Sequence, residues 1–232
     1  MEAIVLAGGL GTRLRGVVDD IPKPMAPVQG RPFLALVLDQ LFDSGFHTAI
    51  VAAGYRHEAI RSYFGEQYRG IALVWSVESE PLGTGGAIRL ACDKADARDV
   101  FVLNGDTYLE LDYRAMLDAH VGAGAQISVA VCQVPDIARY GAVEVSERIV
   151  RGFREKGPSG PGWINGGTYL LGPELRNRLP ERGAFSFEQE LLAPEVQSIR
   201  PLAFPTTGLF IDIGIPEDYA RAQEIFSSRV TR

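Results

Sequence analysis

Basic charge is scarce in this chain. Lysine and arginine number 23 against 29 aspartates and glutamates, giving a formal net charge of −6 over 232 residues. A general nucleic-acid binder needs a cationic face to neutralise phosphates, so the charge argues against that class. A small phosphorylated ligand is not, because a few local cations suffice for it. Cysteine is nearly absent. Cys92 and Cys132 both sit in apolar runs and read as buried fillers, not as a disulfide or metal pair. The three histidines, His47, His57 and His120, form no cluster with zinc spacing. No apolar stretch is long enough to cross a membrane. The apolar run at the N-terminus is too short for a signal peptide and lacks a basic leader. No membrane contact and a cytoplasmic setting are therefore expected. Repeats, low-complexity segments and linkers are missing too, including the hexapeptide repeats of a β-helix near the C-terminus.

What is there is alternation. AIVLA, TAIVAA, IALVWSV, DVFVLNG and ISVAVCQV are short runs rich in β-branched residues, as buried strands require. Between them lie helical patterns: PFLALVLDQLFDSG, with Pro32 near its start and Gly45 at its end, then HEAIRSYFG, TGGAIRLACDKA and DYRAMLDAHVGAG. Strand–helix–strand order predicts an α/β fold, a Rossmann-like three-layer α/β/α sandwich on a mainly parallel, mixed sheet. After about Val134 the rhythm changes. YGAVEVSERIVRGFREK reads as a hairpin and INGGTYLL as a further strand, a small β extension over one edge. PEDYARAQEIF closes the chain as a helix starting at Pro216.

Ligands of such sheets bind beyond the carboxyl ends of the strands, so the residues there carry the information. After the first strand comes GGLGTR; after the fourth, NGDT with Asp106; later come Glu155-Lys156, Asn165-Gly166-Gly167 and Asp212-Ile213-Gly214. The opening loop is not a dinucleotide fingerprint, since Leu14 stands where the third glycine belongs. Nor is it a P-loop, for no GKS or GKT follows. Its glycines let backbone N–H groups approach phosphate oxygens. Arg13 can clamp a pyrophosphate bidentately, and Lys23, before Pro24, supplies a point charge. Asp106 and Asp212, distant in sequence, are expected to converge at one edge of the crevice.

LAGGLGTRLRGVVDDIPKPMAPVQGRPFL resembles the signature of the sugar-1-phosphate nucleotidyltransferases. EPLGTGGAI, LNGDTY, FREK, INGGTYLL and FIDIGIPEDY match further segments in the family's order. The resemblance covers essentially the whole chain. It implies one nucleotidyltransferase domain over residues 1–232, with roughly 1–134 binding nucleotide and 135–232 the sugar phosphate. Within the family, KPMAPV–RPFL, RYGAVEV, INGGTYLL and FSFE are most similar in wording to heptose 1-phosphate guanylyltransferases. The implied reaction joins GTP and a sugar 1-phosphate into GDP-sugar and pyrophosphate, for a bacterial surface glycan.

The family's roles carry over by motif. Asp106 and Asp212 resemble the pair that holds Mg²⁺, for which carboxylates are suitable hard ligands. Arg13 would stabilise the departing pyrophosphate, and Lys23 the nucleotide phosphates and the attacking group. Lys156 would grip the sugar phosphate. Glu155, Asn165, Gly166 and Gly141 would surround the sugar. Leu6, Ala7, Gly8, Gly9, Gly11, Thr12 and Gly105 would bind the nucleotide. Gly83 and Thr84 match the segment that holds the base, and Glu78 and Glu80 precede it. A carboxylate there could accept both adjacent N–H donors of guanine, whereas uracil and thymine offer one. Trp75 and Trp163 are expected in the core or pocket wall, Trp163 beside the sugar. Two alternatives stay open: another nucleotidyltransferase (uridylyl, thymidylyl or mannose-1-phosphate guanylyl) and a nucleotide-sugar sensor without turnover. The oligomeric state is also open, a homodimer being one option.

Overall fold

The structure, a computed structural model, describes residues 1–8, 21–54, 56–154, 159–181 and 183–230. In chain order the elements are β1 (Glu2–Leu6), β2 (Pro27–Val28), β3 (Arg31–Pro32), α1 (Phe33–Asp43), β4 (Thr48–Ala53), α2 (His57–Phe64), β5 (Gln67–Tyr68) and β6 (Ile71–Val77). They continue with α3 (Gly83–Cys92), β7 (Val100–Asn104), β8 (Thr107–Leu109), α4 (Tyr113–Ala123), β9 (Ile127–Val134), β10 (Ala142–Ser146), β11 (Ile149–Arg154) and β12 (Gly162–Leu171). The last are α5 (Pro173–Arg176), a π-helical turn (Phe187–Leu192), α6 (Val196–Ile199), β13 (Leu202–Thr206), β14 (Phe210–Asp212) and α7 (Pro216–Val230).

Among the described residues, ten strands form one mixed sheet in the order β10-β11-β13-β9-β12-β7-β1-β4-β6-β5. The block β7-β1-β4-β6 is parallel throughout. Alternation along β1 explains the layers. Ala3 and Val5 face a core shared with Leu34 of α1, Met116 of α4 and Phe226 of α7. Ile4 faces the opposite core, with Ile88 of α3 and Leu175 of α5. A strand apolar on both sides must be covered on both, which is the three-layer sandwich. Cys132 and Cys92 belong to different cores, so they do not pair. Burial pushes the Cys132 thiol up to about 12, as for an inert filler.

The helix ends follow local chemistry. Asp112 caps α4 by accepting from the Ala115 N–H at 2.9 Å, and Gly124 closes it in the left-handed conformation. The hairpin read from YGAVEVSERIVRGFREK is β10–β11, at the sheet edge as expected. Its turn puts Glu147 and Arg148 at φ 52° and 60°, both left-handed as a tight hairpin turn of matching twist demands.

INGGTYLL departs from its expected place. It is part of β12, which lies antiparallel between β7 and β9 in mid-sheet, not over an edge. The physical reason is that Tyr169, Leu170 and Leu171 are all buried, and consecutive side chains point to opposite faces. Only an interior strand can bury both. Among the described residues no helix is long and apolar enough to cross a membrane.

Candidate active site

From β1 the chain moves outward through β4 and β6, then returns to β7 on the other side of β1. Such a reversal opens a crevice at the strands' carboxyl ends. Leu6, Ala7 and Gly8 leave β1 there, and Gly105-Asp106 leave β7 beside them. Gly105 donates its N–H to the Leu6 carbonyl at 2.9 Å. A Cβ at Gly105 would stand 2.7 Å from that same oxygen, so only glycine lets the two strand ends close up.

A two-stranded ribbon brings the aspartates together. β14 pairs with β8, setting Asp212 opposite Thr107, and the Ile213 N–H donates to the Asp106 carbonyl at 3.1 Å. Lys23, from a short 3₁₀ turn that ends in Met25, reaches between the two carboxylates. Its ammonium forms a short charge-assisted bond to Asp106 Oδ2 and lies 3.5 Å from Asp212 Oδ1. The Lys23 side chain is only 10% exposed, so its charge is poorly screened there. Burial, and then the Asp106 charge, push the Asp212 carboxyl above the ordinary range; Lys23 and the Gly214 N–H, donating at 2.8 Å, pull it back. Counted as ionised, two carboxylates against one ammonium leave one negative charge at the place where phosphates would enter. That imbalance fits a divalent cation. Among the described residues no group of three or more His, Cys, Asp and Glu gathers as a metal cage. Two carboxylates completed by phosphate oxygens and water are the usual pattern for Mg²⁺.

The second half of the site is a cavity of about 610 Å³ lined by Tyr140, Gly141, Phe153, Asn165, Glu188 and their neighbours. Asn165 Nδ2 donates to the Tyr169 hydroxyl at 2.7 Å and to Glu188 Oε1 at 2.9 Å. Tyr169 donates in turn to Glu188. A bulge in β12 between Asn165 and Tyr169 aims these groups. Gly167 sits in it at φ 68°, where a Cβ would be 2.7 Å from Asn104 Nδ2. Asn104 is two residues before Asp106, so the bulge joins the cavity to the charged corner.

The segment expected to hold the base is held differently. Glu78 accepts the Leu82 N–H at 3.0 Å through Oε2, while a Cβ at Gly8 would stand 2.9 Å from its Oε1. Glu78 therefore lies against the strand-end loop. Glu80 instead lines an outer pocket with Arg89 and Glu181. Gly83 opens α3, and Thr84 Oγ1 accepts the Phe187 N–H at 2.9 Å, fastening FSFE to the helix start.

Asn165 and Gly141 line the cavity, and Gly166 lies in the bulge beside it. Gly9, Gly11, Thr12, Arg13, Glu155 and Lys156 lie outside the described residues. Trp163 does not wall the cavity; it packs against the core on the α3 side, while Trp75 is buried and donates to the Gly65 carbonyl at 3.0 Å. The His47 ring Nδ1 lies 3.0 Å from the hydroxyl of its neighbour Thr48, and His120 is buried. His57 is nearer the crevice, with Nδ1 3.1 Å from the Gly54 carbonyl. Glu188 and Tyr169 were missed. Their signals are the acidic residue in FSFE and the tyrosine in INGGTYLL; FSFE reaches the cavity because Thr84 and the backbone bonds from Gly85 N–H to the Phe185 carbonyl at 2.9 Å and from Phe185 N–H to the Leu82 carbonyl at 3.0 Å pin that segment.

A strand-end crevice with paired aspartates and a shared lysine, on this sheet, is the frame of a nucleotidyl transferase. The family model described as Nucleotidyl transferase matches residues 2–228, and the chain belongs to that family. It is 42% identical over 224 residues to the D-glycero-α-D-manno-heptose 1-phosphate guanylyltransferase of Aneurinibacillus thermoaerophilus, covering 97% of each chain. With the same enzyme of Campylobacter jejuni it shares 41% identity, over 94% of this chain and 97% of that one. The crystal structure of HddC from Yersinia pseudotuberculosis superimposes with a TM-score of 0.88 at 39% identity, covering 97% of this chain and 99% of that chain. HddC has also been seen complexed with GMP-PN, at a TM-score of 0.86 to this chain.

Proposed function

We propose that the chain transfers GMP from GTP to D-glycero-α-D-manno-heptose 1-phosphate, giving GDP-heptose and pyrophosphate. The observation that carries this reading is the Lys23–Asp106–Asp212 corner at the β1/β7 crevice, joined by the β12 bulge to a cavity lined in part by Asn165 and Glu188. The guanylyl and heptose parts rest on the similarity to guanylyltransferases over nearly the full length of both chains.

The sugar phosphate is already a nucleophile. One of its oxygens attacks the α-phosphorus of GTP in line; a P–O bond forms as the bond to the bridging oxygen of pyrophosphate breaks. No side chain need become covalently attached. The difficulty is that two anions must meet and charge then grows on the leaving group, so the protein supplies cations and placement. Lys23 offsets charge between the nucleotide phosphates and the attacking oxygen. Arg13 receives the pyrophosphate and Lys156 grips the sugar phosphate. Members of this family as a rule use a divalent metal. Asp106 and Asp212 would hold it here, and we take it to be Mg²⁺, which when bound would neutralise phosphate charge as a Lewis acid. Glu188 and the Asn165 amide oxygen accept hydrogen bonds from the sugar hydroxyls, and Gly141 offers its backbone. Residues 1–134 thus serve the nucleotide and 135–232 the sugar, with Asp212 reaching back to the nucleotide side. The product would feed capsule, lipopolysaccharide or another surface glycan. GTP and sugar phosphates are cytoplasmic metabolites, and we place the enzyme with them.

The test is product identification. Incubated with GTP, heptose 1-phosphate and Mg²⁺, the protein should yield GDP-heptose and equimolar pyrophosphate, and EDTA should stop both. Pyrophosphate release undiminished by EDTA would remove the two-aspartate metal site. No release with any nucleotide and sugar phosphate would leave a sensor as the better reading.

A further inference from the structure

A second charged cluster lies behind the cavity. Asp218, in the first turn of α7, is 6% exposed. Its Oδ2 accepts from Arg139 at 2.5 Å and from the Tyr140 hydroxyl at 3.4 Å. Arg139 also lies over the Tyr140 ring, 5.3 Å from its centroid. Tyr140 in turn packs edge-on against Phe210, with centroids 5.4 Å apart. Phe210 opens β14, the strand that ends in Asp212. The same Tyr140 and the adjacent Gly141 line the sugar-side cavity. Tyr140, bonded to this carboxylate, thus ties the cavity's wall to the strand carrying a proposed metal ligand.

We propose that Asp218 is a positioning residue, clasping the Arg139–Gly141 loop so that it meets the sugar 1-phosphate in register with Asp212. This rests on reading the cavity as the sugar-phosphate site. Two features favour clasping over simple surface pairing. Asp218 is buried, so its charge interacts strongly and would be costly to leave unpaired. Its two partners are consecutive residues, and the next one, Gly141, sits at φ 80° with its N–H bonded to the Ile137 carbonyl at 3.1 Å. That compact turn has no regular ladder of its own, so outside contacts must set its position. Arg139 is 46% exposed at its side chain and does not line the cavity, so it can be changed without touching the sugar.

The experiment is a double-mutant cycle read on each substrate's KM. Asp218→Asn and Arg139→Gln should each raise the KM for sugar 1-phosphate about tenfold, the scale of a small misplacement of a binding group. The KM for GTP should stay within about twofold, and the double variant should be no worse than either single one. Asp218→Glu should restore part of the loss, which a filler role would not allow. The assays use whichever sugar 1-phosphate the wild type turns over fastest, so a wrong sugar defeats the functional reading without touching the clasp. Hydrogen exchange gives a readout needing no turnover: amides of 138–142 should exchange faster in Asp218→Asn while those of β1 stay as in the wild type. Additive effects, parallel rises in both KM values, or unchanged exchange in 138–142 would overturn the proposal.

Discussion

The charged corner and the sugar-side cavity are built on opposite principles. The corner sets three ionisable groups within salt-bridge reach, at the ends of a short ribbon and beside a glycine that lets two strands touch. The cavity presents one carboxylate, in a hydrogen-bonded set of Asn165, Tyr169 and Glu188, on a bulged central strand. Charge placement serves the phosphate chemistry that any nucleotidyl transfer shares. If the cavity holds the sugar, its fixed hydrogen-bond pattern would discriminate between sugars, because a mismatched hydroxyl would leave buried polar groups unpaired. The contrast teaches where to look for reaction and where for specificity.

The largest effect should come from the corner. Asp106→Asn or Asp212→Asn should lower kcat by about 10²–10³-fold with every sugar tried, the scale of losing one group that stabilises transition-state charge. Circular dichroism should stay that of the wild type. An effect confined to the KM of one sugar would break the division between the two regions.

Next comes the cavity. Glu188→Gln keeps size and hydrogen-bonding capacity but removes the charge that Asn165 and Tyr169 address. It should raise the KM for the sugar phosphate about tenfold, worth about 1.4 kcal/mol, and leave the KM for GTP nearly unchanged. Equal changes in both would place Glu188 on the common chemistry instead.

The base-side glutamates sharpen the comparison further. Glu78 lies against the strand-end loop and Glu80 faces an outer pocket. Glu78→Gln should therefore narrow the GTP-over-UTP preference, by about tenfold if a bidentate contact is lost, and Glu80→Gln should leave it alone. If neither variant moves the ratio, backbone groups read the base.

The smallest effect concerns stability. His120 is buried, with Nδ1 2.8 Å from Ser128 Oγ, and burial holds its pKa below the ordinary value despite the opposing pull of Asp99. The unfolded chain takes up this proton near pH 6.5, the folded one only at lower pH. Stability from this group is thus complete above about pH 6.5 and falls as the pH drops below it. Urea midpoints between pH 7.5 and 5 should show that slope, flattened in His120→Gln.

The legible parts of the sequence were those where local pattern and tertiary role agree. The buried strands, the helices with their proline starts and glycine stops, and the aspartates after NG and FI all declared themselves. Lys23 did so as a lysine before proline. INGGTYLL did not show its central place, because a two-sided apolar run reads the same at any position in a sheet. Glu188 stayed hidden for another reason: its segment is anchored by Phe187 to Thr84, 103 residues earlier in number, and no local spacing reports such a contact. The Asp218 clasp, across the gap from Arg139, was invisible on the same grounds.

The most direct measurement is kcat/KM for pyrophosphate release across nucleotides and sugar 1-phosphates. With heptose 1-phosphate, GTP should exceed UTP, dTTP and ATP by about ten- to a hundredfold; with GTP, heptose 1-phosphate should exceed mannose and glucose 1-phosphates. A preference for UTP or dTTP would contradict the guanylyl assignment, and a preference for another sugar would contradict the heptose one.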